Sequence, residues 1–126
     1  MKIFIGIDAV EVKRFQHFHT YSRKQLSRLF STDEIAYCLQ NPIKSAERFA
    51  ARFAAKEALY KALTHALEKP PCSFLQLCAV TSIINKPHPV ATIKWEQLGT
   101  PQKQLQISIT HTKDLAFAHV MLYKEE

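Results

Sequence analysis

The sequence predicts an α+β fold: a single domain over residues 1–126, with N-terminal helices, one of them long, packed on an antiparallel sheet. Three observations predict it. Helix-patterned segments fill the first half of the chain and strand-patterned segments the second. The breaker "EKPPCS" at 68–73 divides the two halves. Near the end, "LQISITHT" and "AFAHVMLY" flank the polar turn "KDL", the signature of a hairpin. With no internal repeat and no low-complexity tract, one core suffices for a chain of 126 residues.

The elements follow in order. "IFIGID" alternates as a strand, with Ile3, Ile5 and Ile7 on one face and Phe4, Gly6 and Asp8 on the other. Asp8 lies near the strand's end, where capping of a following helix is its simplest role. Residues 11–19 and "SRKQLSRLF" (22–30) are expected to be short helices. Ser31 with Glu34 three residues on forms a capping box for a helix over 32–40, and "NP" at 41–42 breaks the chain. Ser45 is the expected cap of a long helix running to about residue 66. After the breaker, "SFLQLCAVTSII" and "VATIKW" are strand candidates, joined through "NKPHP" at 85–89.

Composition narrows the function. Seventeen Lys and Arg against eleven Asp and Glu give a net charge of +6, a surface suited to polyanions, acidic proteins or phosphorylated ligands. No apolar run approaches the roughly 18–20 residues that span a bilayer, and Asp8 and Glu11 interrupt any signal-peptide core. A cytoplasmic protein without a membrane partner is expected. Cys38, Cys72 and Cys78 form no CxxC pair and are read as free thiols in a reducing compartment. His17 and His19 lie two apart and share no helix face, and His65, His88 and His119 carry no ligand spacing, so no zinc site is expected.

The long helix, "RFAARFAAKEALYKAL" at 48–63, carries the most information. Arg48, Arg52 and Lys56 stand four apart, and like charges at that spacing repel by roughly 0.2–0.5 kcal/mol per pair. A partner anion, a phosphate or an acidic protein, is the expected source of the missing negative charge. Advancing about 100° per residue places Glu57 and Lys61 in another sector, beside Ala50 and Ala54, with Phe49, Phe53 and Tyr60 between. Glu57 and Lys61 are spaced as a surface ion pair. The small residues beside them also leave room for a metal ion and a phosphate.

"IGIDAVEVKRF" (5–15), "RFAAKEALYKAL" (52–63) and "ISITHTKDLAFAHVML" (107–122) together resemble three signatures of the short bacterial holo-acyl-carrier-protein synthases, which are phosphopantetheinyl transferases. The resemblance covers essentially the whole chain, and its F-A-A-K-E-A core is the most specific part. It implies an α+β homotrimer with active sites between subunits. It also implies transfer of 4′-phosphopantetheine from coenzyme A to a serine of apo acyl carrier protein, in support of fatty acid biosynthesis. The by-product would be adenosine 3′,5′-bisphosphate.

By position, Asp8 and Glu57 match the family's magnesium ligands and Lys61 its active-site lysine. Arg52 and His111 match positions lining the coenzyme A site, and Arg48 extends that basic stripe. The basic cluster Lys13, Arg14, Arg23, Lys24 and Arg28 lies where the family docks its acidic carrier protein, with Arg14, Arg23 and Arg28 in that role. The chemistry is compatible: magnesium favours oxygen ligands, and coenzyme A offers a pyrophosphate and a 3′-phosphate for cationic groups. Glu57, directly or through a water, or a water on Asp8, would take the serine proton.

Four positions depart from the pattern. Thr64 stands where a glycine is common, Tyr60 where a smaller residue is usual, "NKP" at 85–87 replaces G-K-P, and "SITH" replaces S-x-S-H. Two competing readings follow. A basic nucleic-acid-binding module would lose affinity with salt and need no magnesium; no RNA-binding signature accompanies the charge, so no nucleic acid partner is expected. An inactive relative that only binds coenzyme A or the carrier protein is the other reading; intact Asp8, Glu57 and Lys61 weigh against it, and Thr64 keeps it open.

Overall fold

The computed structural model describes residues 1–124. A three-stranded antiparallel sheet of order β1-β5-β4 is built from β1 (Lys2–Glu11), β5 (Leu115–Lys124) and β4 (Gln104–His111). A separate hairpin pairs β2 (Thr81–Asn85) with β3 (Pro89–Ile93). The long helix α3 (Ser45–Leu67) lies across the three-stranded sheet. Helices α2 (Thr32–Leu39) and α4 (Phe74–Val80) pack against it, α5 (Trp95–Leu98) packs against α4, and the short α1 (Arg23–Leu26) precedes α2.

The alanines of α3 explain its position. Ala50, Ala51, Ala54, Ala55, Ala58 and Ala62 are all buried, and their small side chains let strands approach the helix axis closely. Ala116, Ala118, Val120 and Leu122 of β5 supply the facing layer. On β1 the contact is tighter still. A Cβ on Gly6 would overlap the Ala58 carbonyl oxygen and lie 2.8 Å from the Ala62 nitrogen, so this strand position must remain glycine.

Several expected elements differ. Instead of a helix over 11–19, β1 continues to Glu11, still paired with Leu115, and two short 3-10 turns follow at Val12–Phe15 and Phe18–Thr20. Asp8 therefore sits inside the strand and caps nothing. The helix after Ser22 is only one turn, α1. Ser45 is the first residue of α3 rather than its cap; its buried hydroxyl has no partner among the described residues, and Lys44 precedes it without a side-chain cap. Asn41 instead accepts the Ile43 and Lys44 amides through Oδ1, which closes the turn into the helix.

The largest difference lies after the breaker. "SFLQLCAV" forms helix α4, not a strand, because Ser73 and Gln76 close a capping box: Ser73 Oγ accepts the Gln76 amide and Gln76 Oε1 accepts the Ser73 amide. The strand read from "VATIKW" ends at Ile93, and Trp95 opens α5. The capping box at Ser31 and Glu34 and the β4–β5 hairpin stand as expected.

Candidate active site

Asp8 and Lys61 meet where β1 crosses α3. Lys61 Nζ donates to Asp8 Oδ1 at 2.9 Å and to the Ile7 carbonyl at 2.9 Å. The ion pair expected between Glu57 and Lys61 does not form, because the ammonium turns to the strand instead. Glu57 lies close to both groups. Its carboxyl is held above the ordinary value of 4.5, first by burial and then by the Asp8 carboxylate, while Lys61 and Arg14 act in the opposite direction.

This donor set fits a hard divalent cation. Two carboxylates of different elements lie near one lysine, and burial together with the Asp8 charge raises Glu57. A cation there would relieve it. Among the described residues no third His, Cys, Asp or Glu completes a ligand cluster, so water and substrate phosphates would fill the remaining positions.

A second set of expected residues lies elsewhere on α3. Arg48, Arg52 and His111 line one pocket of about 240 Å³ together with Tyr37, Glu47, Asn85, Pro87 and Pro89. Arg48 Nη1 donates to the Tyr37 carbonyl at 2.8 Å and to Gln40 Oε1 at 3.3 Å. His111 Nδ1 lies 3.7 Å from Glu47 Oε2. None of Asp8, Glu57 and Lys61 lines this pocket, so a single chain divides the expected site into two parts.

Lys56 corrects the reading of the basic stripe. It is fully buried, with Nζ 2.6 Å from Glu34 Oε1 and 2.8 Å from the Leu29 carbonyl. Its counter-charge is thus internal: Glu34 both caps α2 and neutralises Lys56. No external anion is needed at that position. Arg48 and Arg52 remain at the pocket.

The other basic residues are at the surface. Arg14, Arg23, Lys24 and Arg28 are exposed, and Lys13 pairs with Glu11 at 3.2 Å. The Arg14 guanidinium also stacks on Phe53, 5.3 Å from the ring centroid, which puts it beside the Glu57 side of α3. Thr64 Oγ1 bonds back to the Tyr60 carbonyl, and the Tyr60 hydroxyl donates to the Cys72 carbonyl at 2.7 Å, so both departures from the pattern are absorbed locally. Burial pushes the Cys38 and Cys78 thiols up to about 12 and raises Cys72, which leaves none of the three as a ready thiolate nucleophile.

Comparison with known proteins gives a consistent result. A family model for the 4′-phosphopantetheinyl transferase superfamily matches residues 4–120. A holo-[acyl-carrier-protein] synthase of Solibacter usitatus (strain Ellin6076) is 37% identical over 130 residues, spanning 97% of this chain and 98% of the relative. The holo-[acyl-carrier-protein] synthase of Helicobacter pylori, solved in complex with coenzyme A, superposes with a TM-score of 0.69 at 29% identity, covering 94% of this chain and 99% of that one. An ACPS–CoA complex from Chronobacterium ammoniagenes reaches a TM-score of 0.83 over 100% of both chains; at 22% identity that likeness speaks to the fold alone.

Proposed function

Since the chain belongs to the 4′-phosphopantetheinyl transferase superfamily, we propose that it acts as a holo-[acyl-carrier-protein] synthase. It moves 4′-phosphopantetheine from coenzyme A to a serine of apo acyl carrier protein, in support of fatty acid biosynthesis. The observation that carries this reading at the level of residues is the convergence of Asp8, Glu57 and Lys61 at the β1–α3 crossing.

In the reaction, the serine oxygen bonds to the phosphorus next to pantetheine. The bond from that phosphorus to the bridging oxygen breaks, and adenosine 3′,5′-bisphosphate leaves with the electron pair. Asp8 and Glu57 would hold magnesium, which when bound supplies Lewis-acid polarisation of the pyrophosphate and charge neutralisation on the leaving bisphosphate. Lys61, already aimed by Asp8, stabilises charge as it develops on the phosphate oxygens. Glu57, directly or through a water, takes the serine proton.

The division of the site supports a homotrimer with intersubunit active sites. Ile3, Ile5 and Ile7 of β1 are 51%, 52% and 61% exposed and form an apolar row on the sheet face away from α3. Their partners in β5, Tyr123, Met121 and His119, continue that face. Such a patch is suited to a second copy of the chain, and an adjacent copy could then bring its Arg48–Arg52–His111 pocket to the Asp8–Glu57–Lys61 cluster. Replacing Ile5 with glutamate is expected to shift the protein to monomer in light scattering and to abolish transfer, while circular dichroism stays helical. A monomeric variant with full activity would overturn the intersubunit site.

The acidic carrier protein would approach over Arg14, Arg23 and Arg28, steered by the net positive charge. The cytoplasm, where thiols stay reduced, is the compartment we assign; no helix among the described residues is long and apolar enough to cross a membrane. The direct test is intact mass of apo acyl carrier protein after incubation with the protein, coenzyme A and magnesium. A gain of one phosphopantetheine, lost on chelation, is expected. No gain while coenzyme A still binds would leave an inactive binding relative instead.

A further inference from the structure

The pocket between α2, α3 and the 85–89 turn is organised by a side chain to which the sequence assigned no role, Tyr37. Its ring lies against both guanidinium groups of the pocket, 4.1 Å from ring centroid to Arg48 Cζ and 4.4 Å to Arg52 Cζ. Two guanidinium groups one helical turn apart repel and would otherwise occupy separate rotamers. Here the electron-rich ring of one tyrosine attracts both. The Tyr37 carbonyl also accepts from Arg48, and its hydroxyl accepts from Asn85 Nδ2 at 3.4 Å, which ties α2 to the turn carrying Pro87 and Pro89.

Arg52 adds a second observation. It is only 4% exposed, yet its buried Nε–H has no acceptor among the described residues. A buried guanidinium with an unpaired N–H is costly unless an anion arrives to meet it. The carboxylate lining the pocket, Glu47, faces His111 at 3.7 Å and Lys44 at 3.8 Å instead.

We propose that Tyr37 is the positioning residue of a two-guanidinium clamp, holding Arg48 and Arg52 at one pocket to grip a phosphate monoester, the 3′-phosphate of coenzyme A. The identity of that ligand rests on the transferase reading above; the role of Tyr37 rests on the geometry. A monoester presents three terminal oxygens and nearly two charges, which paired planar forks match better than a diester would.

Tyr37→Leu removes the ring, and Tyr37→Phe keeps it while losing only the hydroxyl. Transfer is measured with coenzyme A and with 3′-dephospho-coenzyme A, alongside calorimetric binding of adenosine 3′,5′-bisphosphate and a thermal melt. Tyr37→Leu should raise KM for coenzyme A about tenfold and weaken the bisphosphate by the same factor, with kcat within about twofold. Its KM for the dephospho compound should not change, and Tyr37→Phe should stay within about threefold of wild type throughout. Tyr37→Met is the second ring-free variant and must give the same split if Tyr37→Leu melts too low to assay.

An equal rise for both donors, or no rise for either, overturns the clamp and leaves the transferase reading intact. A wild type that transfers from neither donor, yet binds the bisphosphate in a Tyr37-dependent way, removes that reading and supports the clamp. A wild type that does not bind the bisphosphate overturns the clamp.

Discussion

Lys56→Ala should cost about 3–5 kcal/mol of folding stability, read as a lower urea midpoint at unchanged slope. Lys56 Nζ donates to Glu34 Oε1, to the Leu29 carbonyl and, at 3.4 Å, to the Cys78 carbonyl. Glu34 in turn accepts the Ser31 amide at 2.7 Å and the Ile83 amide at 2.7 Å. One ammonium and one carboxylate, both within 1% of full burial, thereby join α2, α3, α4 and β2. Removing the lysine strands a buried carboxylate and two carbonyls. The loss is then a large part of the roughly 5–15 kcal/mol that holds a typical domain together.

A second variant separates charge from packing. Adding Glu34→Gln to Lys56→Ala should recover part of the loss, because an amide can still accept an amide proton without leaving a charge buried. A single variant within about 1 kcal/mol of wild type, or a double variant worse than the sum of the two singles, would sink this account.

Lys56 also shows where sequence reading failed. A ladder of Arg48, Arg52 and Lys56 suggests a solvated face because a helical wheel assumes that one side of the helix meets water. In α3 that assumption does not hold: alanines are buried on nearly every side, so the charged residues had to be accommodated inside. The partner of Lys56 comes from α2, 22 residues away, a pairing no local pattern reveals.

Tyr37 was invisible for the same reason, since its role exists only once α2 is laid on α3. Helix α4 was legible. Ser73 and Gln76 form the same box that correctly marked the start of α2, but the apolar run after them was read as a strand. Asp8, Glu57 and Lys61 were singled out in the sequence because the resemblance named their positions. Their actual pairing, Lys61 with Asp8 rather than with Glu57, required the register of β1 against α3.

Glu57→Gln should change activity and stability in opposite directions. Transfer is expected to fall about 10²–10⁴-fold in kcat, because in the proposed mechanism the variant lacks both a carboxylate for the cation and a base for the serine proton. Without divalent cations, however, the variant should melt above wild type at pH 8. The Glu57 carboxyl titrates above its ordinary 4.5 because burial and the Asp8 charge disfavour ionisation. The folded protein therefore holds this proton more tightly than the unfolded chain does.

As pH rises from the unfolded value through the folded one, wild type loses stability, and the deficit persists at every higher pH. Below the unfolded value both states are protonated, and the two proteins should melt together. Melting curves at pH 4 and pH 8, repeated with magnesium, test this directly. Magnesium should raise the wild-type melting temperature at pH 8 and raise that of Glu57→Gln much less. A variant that melts below wild type at pH 8 would mean that Glu57 stabilises the fold and is not strained against Asp8. If the expected crossing is seen, the two carboxylates are held together at a cost to the resting protein, which a bound cation offsets.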